Sequence, residues 1–267
     1  MQLLDKLQEL KELLQTLPGA VIAYSGGVDS TFLAVIAHQV LGERALAVTA
    51  VSPTYPEQQL EEARVLVAKY GLPHQVIHTN EFEDVHFVDN SSDRCYYCKS
   101  SLFQQLCRIS AEKGWGVVLD GANVDDLSDH RPGHRAAGEM GIRSPLQEVG
   151  LTKQEIRDFS KGMALPTWNK PAYACLASRI PYGNKITPEA LQRIDQAESF
   201  LSSLGLVQFR VRDHHPIARI EVAASELDRA WQMREKISAK LHELGFAYVA
   251  LDMDGFRSGS MNEILTK

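Results

Sequence analysis

The 267-residue chain lacks several things, and each absence narrows what it can be. Long apolar runs are missing: Gly19–Tyr24 and Ala45–Val51 are among the longest, far short of the ~20 residues a membrane-spanning helix needs. The first residues interleave Asp5, Lys6, Glu9, Lys11 and Glu12 with leucines and do not read as a signal peptide, so a cytoplasmic location with no membrane partner is expected. Basic charge is in deficit: 28 Lys and Arg against 34 Asp and Glu leave a net charge of −6, which disfavours a surface that tracks a nucleic-acid backbone. Cysteine is scarce. Cys95, Cys98, Cys107 and Cys175 point to metal or redox chemistry rather than a disulfide framework. There is no internal repeat, no low-complexity segment, no Gly-Lys-Ser/Thr of a Walker A loop and no G-x-G-x-x-G.

What is present alternates. Leu3, Leu7, Leu10, Leu14 and Leu17 mark an amphipathic helix ended by Pro18-Gly19. Strands are expected at Ala20–Tyr24, Ala45–Val51, His74–His78 and Gly116–Leu119, with helices at Ser30–Val40, at Glu57–Tyr70 and from just after Lys99 to about Lys113. Strand–helix alternation of this kind builds a parallel sheet covered on both faces, whose ligands bind beyond the carboxyl ends of the strands. Thr152 caps a short helix, and residues 165–182 form an aperiodic stretch rich in Pro, Trp, Tyr and Lys. Thr187-Pro188 then opens a helix to about Leu204, followed by strands Val207–Arg212 and Ile217–Val222, a helix Ser225–Leu244 and a strand Tyr248–Asp252. The expected organisation is an α/β domain over 1–165, a cysteine-bearing loop over 166–183 and a smaller α+β domain over 184–267.

Ser25-Gly26-Gly27-Val28-Asp29-Ser30 lies between a strand and a helix. Glycines there let backbone N–H groups approach an anion, the helix N-terminus adds positive partial charge, both serines can donate, and Asp29 can hold a magnesium ion. The string resembles the PP-loop of the ATP pyrophosphatase superfamily, which includes NAD and GMP synthetases and several tRNA thiolases. Asp120-Gly121-Ala122-Asn123-Val124-Asp125-Asp126 is similar to a second signature of that superfamily. The resemblance implies a Rossmann-like parallel sheet, Mg-ATP held by residues 25–30 with Asn123 and Asp125, and release of pyrophosphate with formation of an adenylate.

Cys95-x-x-Cys98 is half of a metal site or a redox pair. The stretch from Leu165 to Arg179, with Trp168, Lys170-Pro171 and Cys175-Leu176-Ala177-Ser178-Arg179, and the closing Gly255–Asn262 together resemble the LarE family. Its members are ATP-dependent sulfur transferases that build the nickel-pincer nucleotide cofactor. The resemblance implies that a carboxylate of pyridinium-3,5-dicarboxylic acid mononucleotide is adenylated and that sulfur then displaces AMP. In one form of the family a cysteine at the position of Cys175 gives up its own sulfur. In the other, three cysteines hold a [4Fe-4S] cluster that carries sulfide, and Cys95, Cys98 and Cys175 match that form. Cys107, between Leu106 and Ile109, reads as a packing residue.

Period-two patterning puts Val207, Phe209 and Val211 on one face of their strand and Gln208, Arg210 and Arg212 on the other, with Arg219 and Glu221 sharing a face of the next. On pattern alone the charged set is the solvent face of a half-buried sheet, although two arginines two residues apart can also grip a phosphate or carboxylate. The family resemblance implies that Arg210 and Arg212 bind the anionic substrate, joined by Ser178 and Glu198, and that Glu221 contacts metal or substrate. Together with Cys175 and Asp29, the residues Arg210, Arg212 and Glu221 form the expected catalytic set. His214-His215 is expected to be a turn with solvated imidazoles. A small mononucleotide substrate, a sulfide or other sulfur donor and a homo-oligomer are the expected partners. The rival functions are a tRNA thiolase and an amide-forming synthetase of the NAD or GMP type.

Overall fold

The computed structural model describes residues 3–128, 132–171, 175–257 and 259–262. In chain order the main elements are α1 (Leu3–Gln15), β1 (Ala20–Ala23), α2 (Val28–Leu41), β2 (Ala45–Val51), α3 (Glu57–Tyr70), β3 (His74–His78), α4 (Val85–Val88), α5 (Arg94–Glu112) and β4 (Val118–Leu119). They continue with α6 (Pro132–Glu139), α7 (Pro145–Glu148), α8 (Lys153–Gly162), α9 (Pro188–Ser203), β5 (Phe209–His214), β6 (Ile217–Val222), α10 (Leu227–Gln232), α11 (Arg234–Glu243) and β7 (Tyr248–Leu251). The chain forms two compact units. One takes in Met1–Ser52, Glu57–Asp84 and Asp93–Ala172; the other takes in Pro53–Pro56, Val85–Ser92 and Tyr173–Lys267.

The first unit is built on a parallel sheet of order β3-β2-β1-β4. Ala20, Val21, Ile22 and Ala45–Val48 are all buried, which explains why these strands read as continuous apolar runs rather than alternating ones. Helix α2 is buried almost all round: Phe32, Leu33, Ile36 and Ala37 have essentially no exposure, and Phe32 stacks on Phe159 of α8. Helix α1 adds Leu10 and Leu14 to the same core. A capping box starts α8, with the Thr152 side chain accepting from the Glu155 N–H and the Glu155 carboxylate accepting from the Thr152 N–H. Lys6 of α1 ties into it by donating to both Glu155 oxygens. Partial burial pushes the Glu155 carboxyl up, but the bonds from Lys6 and Thr152 outweigh it and hold the group below its usual range.

The second unit carries a three-stranded sheet of order β5-β6-β7, antiparallel between β5 and β6 and parallel between β6 and β7. One face, with Phe209, Val211, Ala218, Ile220 and Val222, packs on Leu201 of α9 and on Ile237 and Leu241 of α11. Two expectations change here. The single helix expected over Ser225–Leu244 is α10 followed by α11, parted at Met233, whose N–H bonds to Arg229 and Ala230 close α10. The charged face of the sheet is not a solvent face. Arg210, Arg212 and Glu221 are 7%, 5% and 0% exposed, so polar side chains that satisfied the alternation rule are nonetheless covered. The closing segment runs over the same unit, with Phe256 N–H bonded to the Val222 carbonyl. Gly255 makes that approach possible: its φ is +70°, and a Cβ there would stand 2.7 Å from the Val222 oxygen.

Candidate active site

The phosphate-type loop follows β1. Tyr24 ends the strand ladder by donating its N–H to the Val48 carbonyl, and α2 begins at Val28 with Gly27 as an N-cap that has no side-chain bond. Gly26 has φ +66° and lies where a Cβ would meet the Ala63 Cβ of α3 at 3.0 Å, so only glycine fits without displacing that helix. The two serines close the loop on itself. Their hydroxyls are 3.1 Å apart, and the Ser25 N–H donates to Ser30 Oγ at 3.3 Å. This leaves a helix N-terminus of fourteen residues with no capping side chain, headed by a glycine turn and flanked by two hydroxyls.

Strand β4 lies beside β1 in the sheet, and its following turn therefore meets the loop. The Asn123 side-chain amide donates to Asp29 Oδ1 at 3.5 Å. Asp126 closes the turn by accepting from the Asn123 N–H, while Asp125 accepts from the Lys153 N–H at 2.7 Å. The ammonium of Lys153 forms an ion pair with Asp29 Oδ2. A second lysine, Lys170, donates to the Gly26 carbonyl at 3.1 Å and pairs with Glu62. Nothing in the sequence pattern marks Lys153 for this loop, and Lys170, which by its place in the chain could instead have favoured the Cys175 thiolate, is engaged by Gly26 and Glu62. A lysine at the first position of a capped helix opposes the helix dipole unless carboxylates offset it, and here Asp29 and Asp125 do.

Cys95 and Cys98 lie three residues apart at the start of α5, which begins at Arg94, earlier than the sequence suggested. Cys98 Sγ stands 4.0 Å from Glu81 Oε1, and Glu81, itself buried, also accepts from Thr79. None of the four cysteines is in a disulfide. Cys107 packs against the cluster of Phe103 and Leu106, and burial pushes its thiol up. The Tyr96 ring packs edge-on to Tyr97 and under the Arg135 guanidinium, and its hydroxyl donates to Glu139.

In the second unit, Cys175 caps the short turn Leu176–Arg179. Leu176 N–H donates to the Thr54 carbonyl, and Ser178 N–H to the Cys175 carbonyl at 2.9 Å. Arg212 reaches this turn, donating to the Ser178 carbonyl at 3.1 Å, to Glu221 at 2.7 Å and to Ser260 at 3.0 Å. Glu221 also accepts from Arg219 and from Ser260. Arg210 lies one register step away, paired across the strands with Glu221 in the backbone ladder, with its guanidinium 5.1 Å from the Phe256 ring. Three arginines thus share a face with one buried glutamate, and Asp252 pairs with Arg219 from the side. Guanidinium groups two residues apart on one strand can grip an anion with fork geometry. Both oxygens of Glu198 are engaged by Arg179, at 2.9 and 2.8 Å. His214 departs from the expectation of a solvated imidazole. Burial pushes its pKa down, with Arg219 adding to the effect, and its Nε2 has no hydrogen-bond partner among the described residues. Within either unit, no three His, Cys, Asp or Glu side chains among the described residues are arranged to hold a metal ion.

A parallel sheet with an uncapped glycine loop at its carboxyl end, crossed by Asn123 and two lysines, defines a PP-loop enzyme that uses ATP. A family model described as NAD synthase matches residues 4–96, which contain that loop. The whole chain has relatives as well. It is 37% identical over 266 residues to the pyridinium-3,5-bisthiocarboxylic acid mononucleotide synthase of Lactiplantibacillus plantarum, covering 99% of this chain and 96% of that one. An uncharacterized protein of Synechocystis, slr1717, is 43% identical over 98% of this chain and 99% of its own length. A third, MJ0830 of Methanocaldococcus jannaschii, is 31% identical over 89% of this chain and 90% of its own length. The chain belongs to the LarE family.

Proposed function

We propose that this chain is a sulfur transferase that adenylates a carboxylate of pyridinium-3,5-dicarboxylic acid mononucleotide and replaces AMP by sulfur. The carrying observation is the bond from Arg212 to Ser178, which sets an arginine of the anion-suited face against the turn that bears Cys175. The full-length likeness to the named synthase supports the same reading.

The N-terminal domain, 1–165, performs the activation. The loop 25–30 takes the pyrophosphate portion of ATP, with Asn123 and Asp125 shaping the site. Asp29 would hold the magnesium, and Lys153, its ion-pair partner in the structure, would offer its ammonium to the phosphate oxygens. A substrate carboxylate oxygen attacks the α-phosphorus, the α–β P–O bond breaks, and pyrophosphate departs with its negative charge met by fixed N–H dipoles and the lysine. The C-terminal domain, 184–267, with the loop 166–183, presents the sulfur. Arg210 and Arg212 hold the anionic substrate, with the Ser178 hydroxyl beside them, and Glu221 keeps Arg212 and Arg219 aligned. A sulfur nucleophile then attacks the acyl carbon, and AMP leaves with the electron pair of the broken C–O bond.

Cys95, Cys98 and Cys175 are all outside any disulfide, and thiolates are the usual ligands of iron–sulfur groups. These three would be the residues that hold a [4Fe-4S] cluster, and the cluster would supply the sulfide. The exposure of Cys175 also favours a second reading, in which its own sulfur attacks. Loss of the Cα proton then breaks the Cβ–S bond and leaves dehydroalanine at 175. The test is product analysis with anaerobically isolated protein, ATP, magnesium and the mononucleotide. Thiocarboxylate, AMP and pyrophosphate in equal amounts are expected. AMP without thiocarboxylate while ammonia is converted to an amide would instead place the chain with the synthetases.

A further inference from the structure

Arg179 has no exposed surface and is the largest wholly buried side chain among the described residues. Burying an arginine is costly unless its donors are met, and here they are met in a particular way. Nε and Nη2 form a two-pronged pair with Glu198, at 2.9 and 2.8 Å. Nη1 turns the other way, donating to the Cys175 carbonyl at 3.2 Å and the Ser178 hydroxyl at 3.0 Å. Glu198 is fixed in its turn from behind, since its Oε1 accepts the N–H of Val211 at 2.9 Å. Val211 is the residue between Arg210 and Arg212 on β5. A continuous path therefore runs from the arginine strand through Glu198 and Arg179 to the backbone of Cys175, all within one unit. A second path, from Arg212 to the Ser178 carbonyl, reaches the next end of the same turn.

We propose that Arg179 is a positioning residue for sulfur transfer: with Glu198 as its anchor, it sets the Cys175–Ser178 turn against the strand that carries Arg210 and Arg212. This rests on the proposed function and deepens it, because it assigns Glu198 a role through Arg179 rather than through direct contact with substrate. The planar guanidinium is what the arrangement needs. Its fork meets one carboxylate while the remaining edge meets two oxygens of the turn, and a lysine ammonium cannot span both. Relaxation of the turn by about 1 Å misplaces the sulfur while leaving the chemistry of adenylation, in the other unit, intact.

The experiment separates the two half-reactions in the full-length, anaerobically isolated protein. Removing one member of a buried pair leaves a bare charge, so two variants that keep the interior balanced are used: Arg179→Lys, and Arg179→Met combined with Glu198→Gln, which retains an acceptor for Val211. Circular dichroism and a thermal melt check that each folds. Pyrophosphate release with the mononucleotide is expected to stay within about threefold of the parent, while kcat for thiocarboxylate formation falls at least tenfold with little change in KM. Amide exchange at Ser178, whose N–H bonds to Cys175, is expected to accelerate in both. Thiocarboxylate formation within twofold of the parent in either folded variant overturns the proposal. So does an equal fall in both half-reactions, which marks a merely structural pair. Absence of pyrophosphate release in the parent protein would instead defeat the proposed function, and the two failures are thereby told apart.

Discussion

The two units solve the problem of binding an anion with opposite materials. The first uses backbone: a glycine turn and an uncapped helix N-terminus, with charged side chains such as Asp29, Lys153 and Lys170 left partly exposed around it. The second uses side chains taken out of water: Arg179, Arg210, Arg212, Glu198 and Glu221 are each less than one-tenth exposed, with Arg179 paired to Glu198 and Arg212 to Glu221. Backbone sites tolerate substitution of neighbours because the main chain provides the donors. Buried ion networks fail when a single member is lost, because the remaining charge has nowhere to go.

The comparison can be broken in order of effect. Changing Asp29 to Ala removes the proposed magnesium ligand and leaves Lys153 without its pair; pyrophosphate release should fall by about 10²–10³-fold with little loss of fold, as for other groups that stabilise developing charge. Pyrophosphate assay and a thermal melt together check this. Changing Arg212 to Met deprives wholly buried Glu221 of one of its two arginines and should cost about 3–5 kcal/mol, seen by denaturant unfolding followed with Trp231 fluorescence in the second unit. A comparable loss from Asp29→Ala, or none from Arg212→Met, would erase the distinction.

Titration sharpens it further. His214 is held below the ordinary histidine pKa, so its neutral form is the one the folded state favours. The unfolded chain takes up the proton first. Stability should therefore fall as pH drops below about 6.5 and level off once the folded-state pKa is passed. His214→Gln should flatten that slope in denaturant melts taken across this range. Glu155 is likewise lowered, and its contribution is present above the ordinary glutamate value and lost only as pH falls through the depressed one, in a more acidic window. The smallest effect is expected from Thr152→Ala, about 1 kcal/mol from loss of the α8 cap, measurable by the same melts.

Much of the first unit was legible because its signals are local. Ala45–Val51, Glu57–Tyr70 and His74–His78 have in the structure the very limits read from the sequence, since buried strands and an amphipathic helix announce themselves by pattern and by the Gly71-Leu72-Pro73 stop. The loop Ser25–Ser30 was equally plain. Lys153 was not, because its partner Asp29 is more than a hundred residues away and only the parallel order of β1 and β4 brings their following segments together. In the second unit the alternation of Val207–Arg212 placed Arg210 and Arg212 on the correct face, but alternation cannot say what covers a face. The cover comes from the Cys175–Arg179 turn and from Phe256 and Ser260, segments without periodicity. The break between α10 and α11 was missed for a related reason, since nothing in Trp231-Gln232-Met233-Arg234 carries a Gly or Pro signal.

The most direct test of the account follows both half-reactions in Cys175→Ala, with ATP, magnesium and the mononucleotide. AMP and pyrophosphate are expected to form near the parent rate during the first turnover, with no thiocarboxylate in the mass spectrum. Thiocarboxylate formed at the parent rate by Cys175→Ala would contradict this expectation.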